Sequence, residues 1–134
     1  MSRKPLETVV LVDDSSLDNK LHKRVIDRTG LAGTVLSFPM AEDAIAYFRE
    51  PGAMPADLIL LDINMPRMNG FEMLDASLAE FGPGFDPSVV VMLTTSMNPD
   101  DQNRAAQYSV IKDYLQKPLT DEKFRALCQN LGTD

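Results

Sequence analysis

Several apolar runs in this chain end in groups that can do chemistry. Val9-Val10-Leu11-Val12 leads into Asp13-Asp14, Leu58-Ile59-Leu60-Leu61 into Asp62, and Val89-Val90-Val91-Met92-Leu93 into Thr94-Thr95. Farther on, Tyr114-Leu115-Gln116 leads into Lys117-Pro118. Three carboxylates, a hydroxyl and an ammonium gathered in one place suit a divalent cation and a phosphoryl group. Mg²⁺ takes one or two carboxylates together with waters and phosphate oxygens. A carboxylate is a poor nucleophile towards an anionic phosphoryl group, and a metal that neutralises both partners removes much of the repulsion. In that setting Asp62 is a nucleophile able to form an aspartyl phosphate. Lys117 would supply fixed positive charge to the phosphoryl oxygens, and Thr94 a hydroxyl donor to one of them.

Each residue alone has a plainer reading. Acids favour helix N-termini, most lysines lie on the surface, and threonine is at home at a strand end. What favours a site is that all of these groups follow strand-like runs, the arrangement of an open α/β sheet with its site along one edge. An X-Pro bond can be cis, and a cis Lys117-Pro118 bond could aim the lysine inward; the sequence leaves the isomer open.

The elements that must position these residues follow from periodicity. Strands are expected at Thr8–Val12, Thr34–Phe38, Leu58–Leu61, Val89–Leu93 and Ile111–Gln116. The first, third and fourth are apolar at nearly every position, as strands buried on both faces should be. The second and fifth are more polar and read as edges. Leu17, Leu21 and Val25 form a helical stripe that Gly30 would terminate. Ala41, Ala44, Ile45 and Phe48 form a second, stopped by Pro51-Gly52, and Phe71, Leu74, Leu78 and Phe81 a third, broken by Gly82-Pro83-Gly84. Asn98-Pro99-Asp100-Asp101 starts a fourth helix, with Asn as cap and acids at the positive end of the dipole. Its body is poor in apolar residues, so loose packing is expected. Thr120 caps a fifth, carrying Phe124, Leu127, Cys128 and Leu131, with Gly132 after it. Residues 81–87 read as an extended loop. Strand then helix, repeated, predicts parallel strands joined by right-handed crossovers.

Composition narrows the function classes. A chain of 134 residues fits one domain. With 44% hydrophobic and 25% charged residues it is ordinary globular protein, not a disordered chain. The net charge of −7 disfavours nucleic acid and anionic membrane as partners. No apolar run approaches the length of a membrane span. The basic start Met1-Ser2-Arg3-Lys4-Pro5 has no apolar stretch behind it, so no signal peptide is expected. The single cysteine, Cys128, excludes an internal disulfide and fits a reducing compartment. A cytoplasmic protein is expected.

The Asp13-Asp14 pair, Asp62 before Ile63-Asn64-Met65-Pro66-Arg67-Met68-Asn69-Gly70, Thr94, Tyr114 and Lys117-Pro118 together resemble the receiver domain of two-component response regulators. The resemblance spans roughly residues 7–131 and is similar to stand-alone chemotaxis-type and phytochrome-associated regulators. It implies a flavodoxin-like, doubly wound (βα)5 fold with a five-stranded parallel sheet in the order 2-1-3-4-5. It implies that residues 1–134 are a single receiver domain without an output domain. Asp62 would be the phosphoacceptor. Asp14, Asp62 and the main-chain carbonyl of Asn64 would bind Mg²⁺ directly, and Asp13 largely through water. Lys117 would bind phosphate, with Thr94 and Tyr114 as the switch pair. The donor would be a sensor histidine kinase or a histidine phosphotransfer protein. The domain would catalyse only its own phosphorylation and slow dephosphorylation, and would act on a protein target as a monomer or phosphorylation-dependent dimer.

Two departures bear on the switch: Thr95 stands where receivers usually have a small residue, and Ser109-Val110 where they often have glycine and alanine. Asn64 and Ser96 occupy the positions that modulate phosphoryl lifetime in the family, and neither is acidic. His22, the only histidine, reads as an exposed helix residue, and Met65 and Met68 could line a partner's entry. Two other classes compete. An aspartyl-intermediate phosphatase would want an acid two residues after the nucleophile, where this chain has Asn64. A flavodoxin-like cofactor binder would want a phosphate-cradling loop after the first strand, where Asp13-Asp14-Ser15-Ser16 presents negative charge.

Overall fold

Strands and helices alternate along the whole of the computed structural model, which describes residues 6–130 apart from 52, 54–55, 83–88 and 96–97. The expectations placed on residues 1–5, Gly52, most of the 81–87 loop, Ser96, Leu131 and Gly132 lie outside the described residues. The order is β1 (Leu6–Val12), α1 (Ser16–Thr29), β2 (Ala32–Phe38), α2 (Ala41–Arg49), β3 (Leu58–Leu61), α3 (Gly70–Phe81), β4 (Val89–Thr94), α4 (Pro99–Ala105), β5 (Ile111–Gln116) and α5 (Asp121–Asn130). All neighbouring strands pair in parallel, in the order β2-β1-β3-β4-β5. The two more polar strands are the edges, as expected.

The inner strands need to be apolar throughout because both faces of the sheet are covered. Successive residues alternate between the faces. Val10, Val12, Ile59, Leu61, Val90 and Met92 pack on one side with Ala44 and Ile45 of α2 and Phe71 and Leu74 of α3. Val9, Leu11, Leu58, Leu60, Val91 and Leu93 pack on the other with Ile26 of α1 and Phe124, Leu127 and Cys128 of α5. Val110, the bulky residue noted ahead of the fifth strand, is buried in the first of these layers. Its carbonyl accepts the Val90 N–H at 2.9 Å, beside a register shift between Val90 and Val91. Thr95 is exposed and fills no core space. No helix among the described residues is long and apolar enough to cross a membrane.

Two helices differ from their sequence reading. In α1 only Val25 of the Leu17-Leu21-Val25 stripe packs against the core: Leu17 is 63% and Leu21 46% exposed. The inward face carries Asn19, His22, Ile26 and Thr29, so His22 is buried, not exposed. The cause lies in what the first turns of α1 cover. They lie over the polar end of the sheet, where the Asn19 amide donates to the main-chain carbonyls of Asp13, at 2.9 Å, and Phe38, at 3.5 Å. Four-residue spacing shows a helix but does not choose its inward face. Gly30 ends this helix at φ 69°, the left-handed conformation that glycine adopts without penalty.

Helix α4 begins as expected, with the Asn98 side chain accepting from the Asp100 N–H and Pro99 in the first turn. Ala105 is its one buried residue, in keeping with a thinly packed body. Its C-terminal end is nonetheless pinned to α3. The Arg104 guanidinium lies 4.5 Å over the Phe71 ring, Phe71 and Tyr108 stack at 5.7 Å, and the Tyr108 hydroxyl donates to Asp75 at 2.9 Å.

Candidate functional site

Strand register brings the acids together. Val12 of β1 is paired with Leu61 of β3, so Asp13 and Asp62 both emerge one residue past the same sheet edge. Their backbones are fixed there: the Asp13 N–H donates to Phe38 O at 3.1 Å, and the Asp62 N–H to Val12 O at 2.9 Å. Both residues are buried, while Asp14 is exposed. One carboxylate oxygen from each of Asp13, Asp14 and Asp62 lies within 4.8 Å of the others. Hard oxygen donors at that spacing, two of them withdrawn from water, fit a Mg²⁺ ion.

Lys117 reaches the same place from the end of β5. Its N–H donates to Thr94 O at 2.6 Å, tying the ends of β5 and β4 together, and the Lys117-Pro118 bond is cis. Its side chain is only 9% exposed, and Nζ lies 2.5 Å from Asp13 Oδ2, 2.9 Å from Asp18 Oδ2 and 3.8 Å from Asp62 Oδ1. Thr94, the last residue of β4, is buried. Tyr114 of β5 is half-buried and packs against the core layer beneath α3 and α4. Asn64 is exposed, two residues past Asp62.

The electrostatics follow from crowding. Burial first, then the charge of Asp13, push the Asp62 carboxyl up to about 6, with Lys117 opposing and Asp14 adding to the rise. Burial alone would lower the Lys117 ammonium. Hydrogen bonds to Asp13 and Asp18 and the charge of Asp62 outweigh it, so its pKa is raised. Burial lowers His22, against the nearby charge of Asp18. Burial, then the charge of Asp101, raise the Tyr114 phenol. The cluster holds more negative charge than Lys117 alone can balance, an arrangement that suits a cation.

Gly70 shapes the wall of the site. A Cβ there would stand 2.6 Å from the Asp62 carbonyl oxygen and 3.1 Å from Met92 Cε. The Gly70 N–H donates to Ile63 O at 2.9 Å, and the Asn69–Glu72 capping box starts α3 at this point. Gly70→Ala is expected to cost about 1–3 kcal/mol by forcing backbone apart. Urea denaturation checks this; an unchanged midpoint would show that the Asp62 loop yields freely.

All the residues singled out by type, Asp13, Asp14, Asp62, Thr94 and Lys117, lie at the C-terminal edge of the sheet, with Tyr114 two residues upstream of Gln116 on β5. Two residues were missed. Asn19 clamps the end of β1, and Asp18 shares the Lys117 ammonium. The available signal was the Ser15 cap, whose side chain accepts from the Asp18 N–H and so sets Asp18 in the first turn.

Comparison with known proteins gives one consistent family. A family model described as the response regulator receiver domain matches residues 9–129. The chain is 30% identical to Two-component response regulator ARR22 of Arabidopsis thaliana, covering 96% of this chain and 86% of that protein. A crystal structure of a two component response regulator from Cytophaga hutchinsonii superposes with a TM-score of 0.89 at 30% identity, covering 98% of this chain and all of that one. The crystal structure of the phosphorylated cyanobacterial phytochrome response regulator RcpA superposes with a TM-score of 0.74 at 26% identity, covering 93% of this chain and 90% of the other.

Proposed function

Because the chain belongs to the response regulator receiver family, we propose that it is the phosphoacceptor module of a two-component phosphorelay, with Asp62 as the residue that takes the phosphate. The observation that carries this reading is the buried Asp62 carboxylate set among Asp13, Asp14 and the Lys117 ammonium. An Asp62 oxygen forms a bond to the phosphorus of a phosphohistidine as the P–N bond breaks. The imidazole leaves with the electron pair and takes a proton, and Asp62 becomes an acyl phosphate. Asp13, Asp14, Asp62 and the main-chain carbonyl of Asn64 would hold Mg²⁺, which when bound neutralises the acids and the incoming phosphoryl oxygens. Lys117 binds one phosphoryl oxygen, and the Thr94 hydroxyl donates to another. The Thr94 movement makes room into which Tyr114 turns, a local charge event biasing a two-state element.

The donor is a histidine kinase or phosphotransfer protein. Leu17 and Leu21, the exposed large hydrophobics among the described residues, lie on the helix that starts two residues past Asp14 and offer it a contact patch. The signal leaves by protein contact at the face formed by α4, β5 and α5, and no separate metabolite is turned over. The phosphorylated state of RcpA supports the chemistry.

The test is exposure to a small phosphodonor with Mg²⁺, read by intact mass. One acid-stable, base-labile phosphate is expected on the wild type, none on Asp62→Asn, and none when the metal is chelated. Equal labelling of Asp62→Asn would overturn the assignment.

A further inference from the structure

Lys117 has one ionic partner that the phosphoryl chemistry does not require. An ammonium carries three N–H donors. Two are taken by Asp13 and Asp18, and Asp62 at 3.8 Å is outside hydrogen-bonding range. Asp18 is not placed there casually. The Ser15 N–H donates to Asp13 Oδ1 at 2.9 Å and the Asp18 N–H to Ser15 Oγ at 3.1 Å. Lys117 then joins Asp18 back to Asp13, so Asp13, Ser15, Asp18 and Lys117 form a closed ring of hydrogen bonds.

We propose that Asp18 is a positioning residue that holds the Lys117 ammonium off Asp62 in the resting protein and so limits the rate at which Asp62 is phosphorylated. This rests on Asp62 being the phosphoacceptor. Solvent exposure decides which partner Lys117 gives up. The Asp18 side chain is 31% exposed, against 6% for Asp13, so water can take over the Asp18 carboxylate when the ammonium leaves. Asp13 has no such recourse. As the new P–O bond to Asp62 forms and the donor's bond breaks, a phosphoryl dianion appears beside Nζ. Lys117 then turns from Asp18 to a phosphoryl oxygen. Until it does, Asp18 competes for the ammonium and adds a negative charge that the incoming phosphoryl group must approach.

The experiment measures initial labelling rates with phosphoramidate at saturating Mg²⁺ on the full chain. Asp18→Asn is expected to be about two- to fivefold faster than wild type, the scale of one part-exposed ion pair. Asp18→Glu, which restores the charge, is expected to return towards the wild-type rate. A role only in starting α1 would leave Asp18→Glu near the wild-type rate and make Asp18→Asn no faster than wild type. A crystal structure of Asp18→Asn without phosphodonor reads the same claim independently, with Nζ expected within hydrogen-bonding distance of Asp62. An Asp18→Asn rate equal to or below wild type, or an Nζ that stays beyond reach of Asp62, would overturn the inference. Absence of labelling on every variant would sink the phosphoacceptor reading instead, and the position of Nζ would still decide the role of Asp18.

Discussion

Exchanging Lys117 for glutamine is expected to destabilise the metal-free protein by about 3–5 kcal/mol near neutral pH, the usual cost of removing one partner from a buried ion pair. The ammonium is almost wholly withdrawn from water, and so are two of the three carboxylates around it, Asp13 and Asp62. Without it, the buried acids face each other and the neighbouring Asp14 and Asp18 uncompensated. Glutamine can fill the space and donate a hydrogen bond, but it carries no charge. Two further results follow. Because Asp62 already titrates at about 6, mild acid protonates it and should shrink the loss. Because a divalent cation supplies the missing positive charge, Mg²⁺ should restore much of the stability; a ligand at a hundred times its Kd adds about 2.7 kcal/mol. Urea denaturation in EDTA and in Mg²⁺ measures both. Equal stability of the two proteins in EDTA would mean that Lys117 does not neutralise the acids.

The parts of this molecule legible in its sequence are those where one physical constraint acts alone. Leu58–Leu61 has the bounds read from the sequence because an apolar run bracketed by Asp57 and Asp62 leaves a strand little freedom, and the bounds of Ile111–Gln116 also match. The edge positions of β2 and β5 follow from polarity, since an edge strand tolerates water on one side. The site residues were legible because polar groups at successive strand ends converge in any open parallel sheet. What was not legible depends on pairs of constraints. The inward face of α1 is a compromise between covering core and satisfying the carbonyls at the end of β1. Asn19 settles it at the expense of Leu17 and Leu21. The tether of α4 joins Arg104 and Tyr108 to Phe71 and Asp75 on another helix, which no local spacing encodes. By sequence alone Asp18 is one more acid in a helix's first turn, and only the distance to Nζ marks it as Lys117's partner.

Asp62→Asn should make the metal-free protein more stable above about pH 6, although it destroys the proposed phosphorylation site. An aspartate in an unfolded chain titrates near 3.9, whereas burial and Asp13 hold Asp62 at about 6. Below about pH 4 the group is protonated in both states and contributes no difference. Between about 4 and 6 the native state keeps a proton that the unfolded chain has released, so stability falls as pH rises. Above that window the penalty is complete. A shift of about two units corresponds to roughly 3 kcal/mol, and relaxation with partial access to water should leave about 2. Asparagine keeps the size of the side chain, removes the charge, and leaves Lys117 its contacts with Asp13 and Asp18. The stability advantage of Asp62→Asn should therefore be absent near pH 4, grow through the window and level off above it. Added Mg²⁺ should narrow it, because the wild type offers the cation a carboxylate that the variant lacks. Denaturant midpoints across that pH range, with EDTA and then with Mg²⁺, trace the curve. A variant no more stable than wild type at pH 7 in EDTA would show that Asp62 is not held in an unfavourable charged state, and the electrostatic drive for binding a cation and a phosphoryl group at this edge would fall with it.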